Sequence, residues 1–103
     1  MITTHVLDTS EGRPASGVPV VLEHEGKEIG RGATDADGRL KVGEPPARGE
    51  YRLTFDTKTY FASRKKEGFY PRVTVTFAVA DPNQHYHVPL LLSPFGYSTY
   101  RGS

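Results

Sequence analysis

The chain has 103 residues, enough for one domain (1–103) with a modest core and too few for two. Thirteen basic and twelve acidic residues leave a formal charge of +1 with no basic tract, which argues against a general nucleic-acid binder and confines anion recognition to a few placed arginines. There is no cysteine to form a disulfide, and no apolar run approaches the length of a membrane span.

The opening MITTHVLDTS lacks the basic and apolar segments of a secretory leader, and the final Arg-Gly-Ser is not a peroxisomal address, so a soluble cytoplasmic protein is expected. Eleven glycines and eight prolines cut the sequence into short pieces, the spacing of an all-β sandwich. A first strand is predicted over residues 2–8, with Ile2, Thr4 and Val6 on one face and Thr3, His5 and Leu7 on the other. A Gly- and Pro-rich turn over 9–17 follows, then a strand over 18–25 that reverses at Gly26 into another over 27–33.

In TDADGR (34–39), Asp37-Gly38 signals a tight turn, because glycine tolerates the positive φ of a short reversal. Arg39 is the first residue out of it, so a rigid corner carries its side chain. Residues 42–49 (VGEPPARG) read as loop, and Tyr51, Leu53 and Phe55 alternate with Arg52 and Thr54 as a half-buried strand. Asp56 is suited to cap a short helix over 57–63, the only helix expected. A charged connection over 64–68 leads to the cleanest alternation, residues 72–79. There Val73, Val75, Phe77 and Val79 face inward and Arg72, Thr74 and Thr76 outward. A turn at Asp81-Pro82-Asn83 opens the last stretch, residues 85–103.

Over residues 85–93, Tyr86, Val88, Leu90 and Leu92 form an apolar core face, while His85, His87, Pro89 and Leu91 share a mixed outer face. The final strand repeats the split, with Ser98 and Tyr100 on one side and Tyr97, Thr99 and Arg101 on the other. Mixed outer faces on two neighbouring strands point to sheet-on-sheet association in a symmetric oligomer. His24 and His85 read as surface or satisfied core histidines. His5 and His87 stand on non-core faces among small or apolar neighbours, where an idle imidazole would gain little. A His-x-His pair is also a familiar metal-ligand spacing, with His5 available as a third member, but no Cys, Asp or Glu stands at a telling spacing and no metal is expected. Arg39 and Arg101 taken alone are ordinary surface arginines. No Ser-His-Asp spacing, P-loop or dinucleotide fingerprint occurs. Residue types therefore predict an oligomeric β-sandwich whose histidines and arginines suit acid–base chemistry on a small anion.

Five segments carry a resemblance: THVLDTSEGRPASGVPV (4–20), TDADGR (34–39), YRLTFDTKTYF (51–61), FYPRVTVTF (69–77) and HYHVPLLLSPFGYSTYRGS (85–103). Together they cover nearly the whole chain, which resembles the transthyretin-related family, and within it the branch that hydrolyses 5-hydroxyisourate. The closing Tyr-Arg-Gly-Ser is the mark that separates that branch from hormone-carrying transthyretin. The resemblance implies a transthyretin-like (prealbumin-like) two-sheet β-sandwich with one short helix, a homotetramer built as a dimer of dimers, and active sites in the channel between dimers. It also implies hydrolysis of 5-hydroxyisourate to 2-oxo-4-hydroxy-4-carboxy-5-ureidoimidazoline in urate breakdown, with no cofactor.

Carried over by motif, the catalytic positions are His5, Arg39 and His87, and the substrate-binding positions are Tyr100, Arg101, Gly102 and Ser103. Transthyretin has lysine, glutamate and threonine at the first three and threonine in place of Tyr100. One departure is Arg72, where many hydrolases carry glutamate after FYP; its outward placement sets it away from the site. The implied chemistry gives the base role to the His5/His87 pair, with His87 favoured, and has Arg39 stabilise the oxyanion. Tyr100 closes the pocket and Ser103 binds substrate, the tetrapeptide coming either from the same chain or from a neighbour. The alternative is a transthyretin-like small-ligand binding protein without catalysis.

Overall fold

Period-two alternation gives most strands one apolar face, and two sheets bury those faces against each other. The structure is a computed structural model describing residues 1–103, with nine strands and one helix. In chain order these are β1 (Ile2–Asp8), β2 (Arg13–Pro14), β3 (Pro19–His24), β4 (Lys27–Ala33), β5 (Arg39–Gly43), β6 (Gly49–Phe55), α1 (Thr57–Ser63), β7 (Val73–Val79), β8 (Tyr86–Ser93) and β9 (Gly96–Thr99). One sheet runs β2-β1-β8-β9, with β5 also paired to β1; the other runs β4-β3-β6-β7. The all-β, two-sheet class with one short helix is the class the sequence predicts.

β1 holds the middle of its sheet. It pairs antiparallel with β5 and β2 along one side and parallel with β8 along the other. Its even residues enter the core, where Ile2 and Val6 join Leu22, Leu53, Phe55 and Leu90 in the fully buried centre. Burying a large aliphatic or aromatic side chain is worth about 1.5–3 kcal/mol, so this cluster dominates the cohesion of the fold. The helix covers one end of the sandwich with buried Tyr60 and Phe61, and Asp56 caps it by accepting from the Thr59 amide at 3.1 Å.

One carboxylate lies wholly inside. The Asp8 carboxylate accepts from the Ser10 hydroxyl at 2.5 Å, the Tyr60 hydroxyl at 2.7 Å, and the amides of Ser10 and Glu11 at 3.0 and 3.2 Å. Burial alone raises its pKa, but these four donors outweigh burial and hold the carboxyl below the ordinary aspartate value. The same knot ties the end of β1 to the helix.

Two elements differ from the expectation. Residues 42–43, read as loop, belong to β5, whose five residues carry too short an alternation to stand out without the pairing that β1 supplies. The predicted turn over 9–17 contains β2, a two-residue pairing of Arg13 and Pro14 with Asp8 and Leu7, which has no periodicity to detect. His85, expected on the strand, lies just before β8 begins.

Candidate active site

Register decides which side chains meet on the outer face of the β1 sheet. In the antiparallel β1–β5 pair, His5 stands directly opposite Arg39; in the parallel β1–β8 pair, Thr3 stands opposite His87 and His5 opposite Pro89. Because side chains alternate between faces, His5, Arg39 and His87 all project from the side away from the core. Three segments far apart in sequence are thus joined on one surface by backbone pairing alone.

The turn expected before Arg39 is present and tightly determined. Gly38 adopts φ 75°, donates its amide to the Asp35 carbonyl and offers its own carbonyl to the Val6 amide at 2.8 Å. A Cβ at this glycine would collide with the Val6 carbonyl oxygen, so both conformation and space require glycine. The Asp35 carboxylate accepts from the Arg39 amide at 3.0 Å and from the Asp37 amide at 2.9 Å. These bonds, with the nearby charges of Arg39 and His5, hold the Asp35 carboxyl below its ordinary value. The Arg39 side chain is exposed and makes no ion pair, which leaves its guanidinium open to an anionic ligand.

His87 is half-buried. Its Nδ1 lies 2.7 Å from the Thr3 hydroxyl, and the same hydroxyl lies 2.7 Å from Nε2 of His85. The other ring nitrogen of His87 has no protein partner. Burial, and then the charges of His85, His5 and Arg39, push the His87 pKa down, so this imidazole favours its neutral, proton-accepting form. His5 is half-buried on the same face.

The chain end packs back onto this face. The Gly102 amide donates to the His87 carbonyl at 2.9 Å. A Cβ on Gly102 would come within 2.5 Å of His87 Cδ2 and 3.1 Å of Pro89 Cγ, so a side chain there would force the tail or the ring to shift. The tetrapeptide therefore meets the His87 of its own chain. Its members diverge: Arg101 turns to the other side of the sheet, its guanidinium 4.7 Å above the Tyr86 ring. Tyr100 is 56% exposed and, with Val75, Phe77, His87 and Arg101, lines a cleft of about 320 Å³ at the open edge between the sheets. Ser103 is exposed.

A larger cleft, about 630 Å³, lies at the far end of the other sheet around His24 and Tyr51 and contains none of the predicted site residues. Its histidine is satisfied, stacked on Tyr51 at 4.1 Å with Nδ1 2.9 Å from the Glu50 carbonyl, as expected for His24. His85 is exposed, as expected, and the feature that the sequence does not announce is the Thr3 hydroxyl joining it to His87. The available signal was parity, since Thr3 shares a face with His5, and His85 with His87. Taken together, the face offers a neutral imidazole with an open nitrogen, a second imidazole, and a cation two strands from His87, a combination suited to water activation beside an anion. No group of three or more His, Cys, Asp or Glu side chains is positioned to hold a metal ion.

Residues 2–102 match the model of the HIUase/Transthyretin family. A 5-hydroxyisourate hydrolase of Salmonella dublin is 47% identical over 110 residues, an alignment covering 100% of this chain and 81% of that protein. The solved structure of Klebsiella pneumoniae 5-hydroxyisourate hydrolase superposes with a TM-score of 0.90 at 40% identity, covering 99% of this chain and 98% of that one. Sea bream transthyretin, solved in complex with thyroxine, superposes with a TM-score of 0.86 at 32% identity, covering 98% of this chain and 93% of that one.

Proposed function

The chain belongs to the HIUase/Transthyretin family, and we propose that it hydrolyses 5-hydroxyisourate to 2-oxo-4-hydroxy-4-carboxy-5-ureidoimidazoline without a cofactor. The observation that carries this reading is the convergence of His5, Arg39 and His87 on one sheet face, in a chain 47% identical to a hydrolase of that name.

The substrate is a small, planar, oxygen-rich heterocycle, and opening its ring requires water to attack an amide-type carbonyl. His87, held neutral, takes the proton from that water through its open nitrogen. Attack places negative charge on the carbonyl oxygen, and the unpaired Arg39 guanidinium stabilises it. His5, between the two, orients the water or returns the proton to the leaving nitrogen. Tyr100 closes the pocket beside His87, Gly102 lets the backbone approach the ring, Arg101 anchors the tail over Tyr86 instead of reaching the substrate, and Ser103 completes the substrate-binding tail.

The site face is open on a single chain, and a second sheet laid across it would exclude water and complete a pocket. We therefore take the working unit to be a homotetramer, a dimer of dimers, with sites in the channel between dimers. No helix is long and apolar enough to cross a membrane, and a cytoplasmic location belongs to the same reading. A transthyretin-like carrier is the second reading, favoured by the shared scaffold; it wants an apolar channel, which His5, Arg39 and His87 would make polar.

The test is direct. 5-Hydroxyisourate generated from urate by a uricase is followed by its ultraviolet absorbance with and without the protein, in the presence and absence of a chelator. Accelerated, chelator-insensitive decay is expected, and decay at the spontaneous rate overturns the proposal.

A further inference from the structure

Thr3 bridges two histidines through a single hydroxyl, 2.7 Å from Nδ1 of His87 and 2.7 Å from Nε2 of His85. A hydroxyl carries one proton and can donate it in only one direction. When it donates to His85, it must accept from His87 Nδ1–H, and the open Nε2 of His87 then bears a lone pair. When it donates to His87, Nε2 of His87 bears the proton. The direction of one O–H bond therefore sets whether His87 presents a base or an acid to the outer face.

We infer that Thr3 and His85 form with His87 a proton relay that carries the charge of catalysis from the half-buried imidazole to the exposed one. The inference rests on the hydrolytic reading above. As water's oxygen bonds to the substrate carbonyl carbon, one water proton passes to His87 Nε2. The Nδ1 proton of His87 moves to Thr3 Oγ1, and Thr3's own proton moves to His85 Nε2. His87 ends neutral with its proton on Nε2, and His85 ends as the imidazolium. When the ring C–N bond breaks, His87 Nε2 gives its proton to the leaving nitrogen and the other two protons return, so one water is consumed and every side chain is restored.

The relay has a physical advantage. A positive charge left on His87 would sit half-buried on the face that carries His5 from β1 and Arg39 and Lys41 from β5, with Tyr100 of the tail nearby. His85 lies at the solvent edge of the same chain of hydrogen bonds, where water stabilises the cation. Thr3 and His85 are positioning residues in this scheme, since neither touches the reacting atoms.

The test uses Thr3→Val, Thr3→Ser and His85→Phe in the full chain, with kcat and KM measured across pH and in mixtures of light and heavy water. Thr3→Val should lower kcat by about ten- to a hundredfold with little change in KM, and Thr3→Ser should recover most of it. In the wild type, kcat should respond to more than one moving proton. In Thr3→Val and His85→Phe the response should become that of a single proton, with the acidic limb of the pH profile displaced. A His85→Phe variant with unchanged kcat, pH limb and solvent isotope response overturns the relay, as does a Thr3→Ser variant no better than Thr3→Val. Nitrogen NMR of the imidazoles supplies a readout without turnover: His85 and His87 should titrate in concert in the wild type and separately in Thr3→Val. Independent titration in the wild type also overturns the relay. Concerted titration with no hydrolysis leaves the hydrogen-bond chain standing and sinks the proposed reaction, so the two failures are distinguishable.

Discussion

On the core side of β1, Asp8 is fully buried and receives four hydrogen bonds on its carboxylate. On the outer side of the same strand, Thr3 and His5 stand half-exposed beside His87 and Arg39, and an imidazole nitrogen and a guanidinium are left without partners. Seven residues of extended backbone thus carry one polar cluster that is closed and another that is open. A buried polar group stabilises only when every bond is made, whereas a site must keep some unmade until a ligand arrives. Stability and chemistry are separated on this strand by the period of two.

The sharpest way to break the comparison is His87→Ala. A general base contributes about 10²–10⁴-fold, so turnover of 5-hydroxyisourate should fall by at least that range while circular dichroism and thermal unfolding stay near wild type. Near-full activity in this variant would remove His87 from the mechanism. Deleting residues 100–103 should come next. Activity should fall at least tenfold, about 1.4 kcal/mol, and the loss of folding stability should be small, because the tail adds few backbone bonds beyond the one from Gly102 to His87.

On the core side the signs reverse. Asp8→Asn should cost about 1–3 kcal/mol of stability by disordering the donor set, visible as a fall in Tm of roughly 4–8 °C per kcal/mol, while activity per folded molecule stays intact. Acid titration sharpens the same contrast. Asp8 has its pKa lowered in the folded state, so its contribution is present above the ordinary aspartate value and is lost as pH falls through the folded value. The wild type should lose stability over that window, and Asp8→Asn should lose less, because Asp35 and other lowered carboxyls still titrate there. His87 is also lowered, so it stays a base to a lower pH than an ordinary imidazole. The acidic limb of kcat/KM, which reports the free enzyme, should therefore lie below the ordinary histidine value and above the pH at which the Asp8 knot fails. The smallest effect belongs to Gly102→Ala, whose Cβ meets the His87 ring edge but can be relieved by a shift of the tail; a several-fold loss of kcat with unchanged Tm is expected.

Much of this was legible in the sequence, and particular residues show where legibility stops. Parity along residues 2–8 and 85–93 separates core from outer face, and the Asp37-Gly38 turn locates Arg39 at a corner, because both signals are local. The Thr3 bridge is invisible from either segment alone, since it depends on the register between strands 84 residues apart. β5 needed its partner to be recognised, and parity sets Arg101 opposite Tyr100 but cannot name the Tyr86 ring on which its guanidinium rests. In each case the missing information was tertiary.

The parallel pairing of β1 with β8 has a kinetic side as well. Joining residue 3 to residue 87 closes nearly the longest loop this chain allows, and such contacts form late and slowly because the entropy of closure is spent before they stabilise anything. The hairpins of the other sheet can form while the chain is still being made, but His87 cannot meet Thr3 until residues near the end of the chain have emerged. Recovery of catalysis on refolding should therefore lag the recovery of secondary structure, making the enzyme's own turnover a clock for the last step of its folding.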